Sequence, residues 1–186
     1  MRLYRVYKVM NKKVLLVIAS NGFQIIEYET PKAILEKAGI GVVTVSDVGG
    51  EAVSSSGRKV KVDLTCRDAL QCVSTGDYDG LFIVGGQGAL EHLDNETVYD
   101  LLKKWQTTNR PYGAICISPR ILAHAGVLQG KKATGWNGDG ELPEILSAGG
   151  AEFVGESVVV DGNVVTGNGP SAAGEWGEAI VVVLNK

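Results

Sequence analysis

Histidine occurs only twice and cysteine only three times in the 186 residues. An odd cysteine count (Cys66, Cys72 and Cys116) without framework spacing excludes a disulfide scaffold and points to a reducing, cytoplasmic setting. No His/Cys/Asp/Glu spacing reads as a metal site, so no metal is expected. The glycine-rich segments lack a phosphate-loop Lys-Ser/Thr and do not open the first helix with a dinucleotide fingerprint, so no cofactor is expected either. No apolar run reaches the roughly 18 residues of a membrane span, which excludes a membrane partner. The basic opening, Met1 to Val9, has no continuous apolar core and is not a secretory signal. A net charge of −3 without a basic, aromatic-interleaved stripe excludes nucleic acid as a partner. Linkers, repeats and low-complexity tracts are also missing. The chain therefore reads as one domain over residues 1–186, with 1–10 as an extra tail or an edge strand ahead of Asn11-Lys12-Lys13.

What is present is an alternation of buried strands and helices. Val14 to Ala19 is a continuous apolar run, the signature of a central strand covered on both faces. A helical segment closed by Gly39 follows, and then a strand over Gly41 to Ser46. A Gly/Ser-rich stretch runs from Gly49 to Gly57, and the polar–apolar alternation of Lys59 to Leu64 reads as a hairpin arm. Tyr78 to Val84 is a third buried strand ending in Gly85-Gly86. Asn95 caps a helix over Glu96 to Gln106 that carries Val98, Leu101, Leu102 and Trp105 on one face. Ser157 to Thr166 is a hairpin around Asp161-Gly162, which suits a type I′ turn, and Ser171 to Leu184 is a final helix. Such alternation implies a mostly parallel sheet with helices on both faces.

Chemistry concentrates at Ala114-Ile115-Cys116-Ile117-Ser118-Pro119. Small residues flank Cys116 at −2 and +2, and a helix-like run from Pro119 to Gly126 follows. One reading is a nucleophile elbow with the helix N-terminus aimed at the sulfur. The other is a buried cysteine on a core strand. Ligands bind beyond the carboxyl ends of parallel strands, and three elements converge there: Cys116, Gly85-Gly86, and Glu27 on the first helix. Gly86 and Ile117 can offer backbone N–H groups as an oxyanion hole, or Gly85-Gly86 is a plain strand-ending turn. Glu27, flanked by Ile25, Ile26 and Tyr28, either faces solvent or points into the cleft. His124 lies about two turns along the elbow helix and reads as structural. His92, after the Gly-Gly loop, can line the site from its own chain or from a neighbouring subunit. The loop Asn137 to Glu141 either borders the cleft or is acidic for solvation.

Four blocks in order resemble the ThiJ/PfpI family, the superfamily of the Parkinson's-disease protein deglycase, which is related to class I glutamine amidotransferases. They are Val14 to Ala19 with Gly22, Glu27 and Pro31; Asp79 to Gly86; Ala114 to Cys116 with Pro119, Leu122 and Ala125 to Leu128; and Asp161 to Thr166 with Gly169-Pro170. The resemblance implies a flavodoxin-like three-layer α/β/α sandwich. It makes Cys116 the reactive, oxidation-prone cysteine, Glu27 its protonated partner, and Gly86 a backbone donor near the sulfur. A carboxylic acid beside a thiolate should have a raised pKa while the cysteine pKa falls. The resemblance also implies homodimers or larger homo-oligomers, and a cofactor-free enzyme acting on small carbonyl compounds or their adducts, glyoxalase- or deglycase-like.

The sequence departs from the family at informative places. Ile117 and Ser118 follow the cysteine where histidine and glycine often stand. Trp136 occupies the place of a later histidine, Asn168 that of an arginine, and Val84 that of a proline. These departures exclude an adjacent Cys–His dyad and disfavour peptidase chemistry. Gly85, Ser118, His92, Trp136 and Asn168 are the expected pocket-lining residues. Two other functions stay open: an oxidative-stress sensor or chaperone-like protein using Cys116 oxidation, and a catalytically degenerate ligand-binding member with Ile117 and Trp136 filling the site.

Overall fold

The computed structural model describes residues 12–186, so the expected N-terminal tail or edge strand lies outside the described residues. In chain order the strands are β1 (Lys13–Ile18), β2 (Asn21–Phe23), β3 (Gly41–Ser46), β4 (Glu51–Ser54), β5 (Lys59–Lys61), β6 (Leu64–Thr65), β7 (Gly80–Ile83), β8 (Tyr112–Ile115), β9 (Lys132–Ala133), β10 (Glu152–Phe153), β11 (Val158–Asp161) and β12 (Val164–Gly167). The helices are α1 (Ile25–Lys37), α2 (Cys66–Cys72), α3 (Ala89–Leu93), α4 (Glu96–Gln106), α5 (Pro119–His124), α6 (Leu142–Ala148) and α7 (Ala173–Leu184).

Seven strands form the central sheet in the order β11-β12-β8-β7-β1-β3-β6, all parallel except the β11–β12 pair. Val14 to Ile18 are fully buried, as a strand covered on both faces requires. Side chains alternate across β7: Phe82 meets Trp176 of α7 edge-on at 6.0 Å, while Leu81 and Ile83 point to the opposite face. Helix α1 packs on α7, with α2, α4 and α5 in a second row, giving the three-layer arrangement. Gly177 makes the α1–α7 approach possible, because a Cβ there would lie 2.9 Å from the Pro31 Cα.

The chain builds outward from β1 to β3 and β6, then returns to β7 on the other side of β1. This reversal opens a crevice at the carboxyl ends of β1 and β7, where open α/β sheets place their ligands. Above it, β2, β4 and β5 form a small three-stranded sheet. The Gly/Ser-rich stretch Gly49–Gly57 contains β4, which pairs antiparallel with β5 as a hairpin and parallel with β2. The β11–β12 hairpin differs from expectation. Asp161 pairs with Val164, so the loop is Gly162-Asn163, and only Gly162 has positive φ (64°), the requirement of a type II′ turn rather than I′.

Helix α4 matches its sequence pattern. The Asn95 side chain accepts from the Val98 N–H at 3.2 Å, and Val98, Leu101, Leu102 and Trp105 are buried. Asn95→Ala is expected to cost about 1 kcal/mol of stability, measured by urea unfolding, because it orphans that first-turn donor.

Candidate active site

Cys116 is the turning point between β8 and α5, and its φ is +63°. A left-handed non-glycine residue costs on the order of 1–3 kcal/mol and persists only where its surroundings fix it. Here the Cys116 N–H donates to the Gly167 carbonyl at 2.9 Å, and its carbonyl accepts from the Trp136 N–H at 2.7 Å. Ser118 completes the elbow from below. It is fully buried, and its hydroxyl donates to the Val84 carbonyl at 2.9 Å, tying the turn to the end of β7. The geometry is that of a nucleophile elbow, with the cysteine partly exposed rather than sealed in a strand.

Glu27 reaches the sulfur because the start of α1 is fastened to the loop after β7. The Gln24 N–H donates to the Gly85 carbonyl at 2.9 Å, and the Gly88 N–H to the Gly22 carbonyl at 3.1 Å. Glu27, in the first turn, is fully buried, and its Oε2 accepts from the Gly85 N–H at 3.0 Å. Oε1 has no hydrogen-bond partner among the described residues, and the carboxyl as a whole lies beside Cys116. With Oε2 accepting from the Gly85 N–H, a carboxyl proton belongs on Oε1. Burial pushes Glu27 up to about 7, against the lowering effect of its bonds to Cys116 and Gly85.

Cys116 behaves differently from expectation. Burial, and then the neighbouring Glu27 charge, push its thiol up to about 12, although the Gly86 and Ile117 N–H groups that face the sulfur favour the thiolate. The helix N-terminus does not overcome desolvation. Two groups this close titrate as a pair. One proton leaves near neutral pH, and the other stays with the pair until well above it. The nucleophilic form is the thiolate with Glu27 protonated, carrying the same net charge as the thiol–carboxylate form. Its population above neutral pH is set by the hydrogen bonds rather than by pH.

A cleft of about 450 Å³ opens over this pair. Ile117, Trp136 and Pro170 give it apolar walls, while Gln24, Ser55 and Gln87 supply polar edges. Of the expected lining residues, Trp136 is there and Gly85 and Ser118 lie behind the reacting groups. Asn168 instead lines a separate cavity of about 300 Å³ with Thr134, Gly135 and Asn137. His92 also lies elsewhere: its Nδ1 is 3.4 Å from both the Asp47 carboxylate and the Ser20 hydroxyl. Asp47 borders a larger cavity of about 680 Å³ with Thr65, Cys66 and Arg67, away from Cys116. His92→Ala is expected to leave the Cys116 alkylation rate unchanged, checked with iodoacetamide and mass spectrometry. His124 pairs with Asp94 at 2.9 Å, outside the cleft. Among the described residues no group of three or more His, Cys, Asp or Glu is placed to hold a metal ion, and no helix is long and apolar enough to cross a membrane.

Sequence reasoning missed Gln24, Ser55, Gln87 and Arg120. Gln24 carried a usable signal, being the side-chain N-cap of α1. Arg120 sits in the first turn of α5, is 4% exposed, and binds Asp139 through Nη2 at 2.7 Å to both carboxylate oxygens.

The DJ-1/PfpI family model matches residues 12–182. The chain belongs to the DJ-1/PfpI family. An uncharacterized protein of Methanocaldococcus jannaschii is 40% identical over 177 residues, covering 95% of this chain and 84% of the relative. An uncharacterized Staphylococcus aureus protein is 39% identical over 179 residues, covering 94% and 99%. Among solved structures, a ThiJ/PfpI domain protein from Brachyspira murdochii superposes with TM-score 0.84 at 30% identity, covering 93% of this chain and 96% of that one. Drosophila melanogaster DJ-1beta does so with TM-score 0.82 at 28% identity, covering 94% and 91%. The matched region includes Glu27 and Cys116, with Ile117 directly after the cysteine.

Proposed function

We propose that this DJ-1/PfpI protein is a cysteine-dependent enzyme acting on small carbonyl compounds or their adducts, with glyoxalase- or deglycase-like chemistry. The observation that carries the reading is the buried Glu27 carboxyl, held by the Gly85 N–H beside a strained, cleft-facing Cys116. Attack of the thiolate on an aldehyde carbon forms a C–S bond, and the carbonyl electron pair moves to oxygen. Glu27 delivers its proton to that oxygen, giving a hemithioacetal, and is then the base that can remove a proton from the adjacent carbon. The Gly86 and Ile117 N–H groups, which face the sulfur in the free protein, are within reach of the developing oxyanion. With no histidine in the cleft, all proton transfer rests on Glu27, and peptide-bond cleavage lacks an acid for the amine leaving group. Homo-oligomerisation belongs to the same proposal and is read by analytical ultracentrifugation. The experiment is turnover of glyoxal and methylglyoxal by the wild type with Cys116→Ser as the blank; no difference between the two sinks the enzyme reading.

A second reading, an oxidation sensor, is favoured by the same convergence of donors. The two N–H groups and the Glu27 proton would also hold the oxygens of a sulfinate. Sulfinate formation on Cys116 at low peroxide without turnover would favour it, and would set aside the carbonyl chemistry.

A further inference from the structure

The loop Asn137 to Glu141, read from sequence as either cleft border or solvated acid, is held together with Trp136 by a buried cation. Arg120 rises from the elbow helix beneath it, grips both Asp139 oxygens at 2.7 Å, and has Glu141 3.6 Å from Nη1. Its guanidinium carbon lies 5.6 Å from the centre of the Trp136 ring, within cation–π range. Gly138 closes on the same indole: a Cβ there would lie 2.4 Å from a ring atom. The Trp136 N–H holds the Cys116 carbonyl, so the backbone that carries the indole is tied to the nucleophile itself. Trp136 is nevertheless 39% exposed, a large aromatic left as a wall of the cleft rather than packed into the core.

The charge pattern narrows what that wall can face. Among the described residues the cleft lining holds the Glu27 carboxyl and no lysine, arginine or histidine. The nearby Arg120 cation is already paired with Asp139, whose carboxyl it holds below the usual range. A carboxylate or phosphate on the substrate would therefore lose its hydration beside Glu27 with no counter-charge. A neutral flat group gains the indole face instead.

We propose that Trp136 makes this cleft selective for neutral carbonyl compounds bearing an apolar, preferably aryl, substituent, and that Arg120 is the positioning residue that holds the indole in place. The inference rests on the carbonyl-directed reading above, and the test separates the two. Three α-bromoketones share one reacting centre and differ in substituent: phenacyl bromide, bromoacetone and bromopyruvate. In each, the thiolate forms a C–S bond as bromide leaves, and mass spectrometry of the Cys116 peptide gives the rate, normalised to a free thiol.

The wild type is expected to favour phenacyl bromide over bromoacetone by about fivefold to tenfold, the usual worth of an aromatic contact, with bromopyruvate slowest. Trp136→Phe retains the preference, and Trp136→Ala reduces it to near one. Asp139→Asn, checked for native folding by circular dichroism, reduces it as well by freeing Arg120, while the pH midpoint of alkylation stays put. A general disturbance of the elbow would move that midpoint. A wild-type ratio near one, or a ratio unchanged in a natively folded Trp136→Ala protein, overturns the proposal. An unreactive Cys116 overturns both it and the enzyme reading.

Discussion

Glu27→Gln is expected to lower turnover by about 10²–10⁴-fold while leaving Cys116 open to alkylation. The amide keeps the shape of the protonated acid: its oxygen accepts from the Gly85 N–H and its NH₂ takes the place of the protonated Oε1. It cannot give up or take back a proton, so any step that moves one is lost. The variant also removes the titration near 7 from the alkylation profile, because among the described residues lining the cleft Glu27 is the one pushed into that range. Stability should change in a defined direction. Folded, Glu27 keeps its proton up to about 7, whereas its ordinary value is 4.5. Between these values the unfolded chain binds fewer protons, so wild-type stability falls as pH rises through the window, by on the order of 3 kcal/mol. The uncharged amide has no such loss. Glu27→Gln should match the wild type in urea melts near pH 4 and exceed it near pH 8. A profile parallel to the wild type at both pH values would show that Glu27 is not buried as an acid.

The elements legible in the sequence are those whose signal is local. β1 is an unbroken apolar run, and α4 has a cap and a single apolar face, so both fall where the pattern puts them. β4 was hidden because its four residues pair only with β2 and β5, which makes a strand of a Gly/Ser-rich segment with little propensity of its own. α2 had a readable sign, the Thr65-x-x-Asp68 capping box, with both reciprocal bonds present. The same division runs through the site. Cys116 announces itself through its immediate neighbours. The burial of Glu27 does not, since it depends on a bond to Gly85, 58 residues away in sequence. Nor does the role of Asp139, an apparently solvating acid whose partner Arg120 lies 19 residues earlier under the loop. Desolvation of the thiol is equally invisible in sequence: the elbow pattern suggests a low cysteine pKa, and burial reverses it.

Gly85→Ala is expected to abolish Cys116 reactivity and to cost about 1–3 kcal/mol of stability. The backbone at Gly85 is not left-handed, so alanine meets no conformational penalty there. The obstruction is spatial. A Cβ would stand 2.6 Å from the Cys116 Cβ, 2.7 Å from Glu27 Oε2 and 2.9 Å from the Ile115 carbonyl oxygen. Two of these three atoms belong to, or are fixed directly by, the elbow backbone and cannot rotate away. The third is the carboxylate oxygen that binds the Gly85 N–H, so any relief moves Glu27 off the sulfur or opens the elbow. Gly126→Ala is the matched control. There φ is +74° with open space around the new methyl, so only a backbone cost of about 1 kcal/mol is paid, far from the sulfur. Loss of iodoacetamide reaction in the first variant and its retention in the second would show that contact at Gly85, rather than global destabilisation, controls the nucleophile. Equal loss in both would place the cause in the fold as a whole. Normal reactivity in Gly85→Ala would mean that the Glu27–Gly85–Cys116 packing is looser than the hydrogen bonds require.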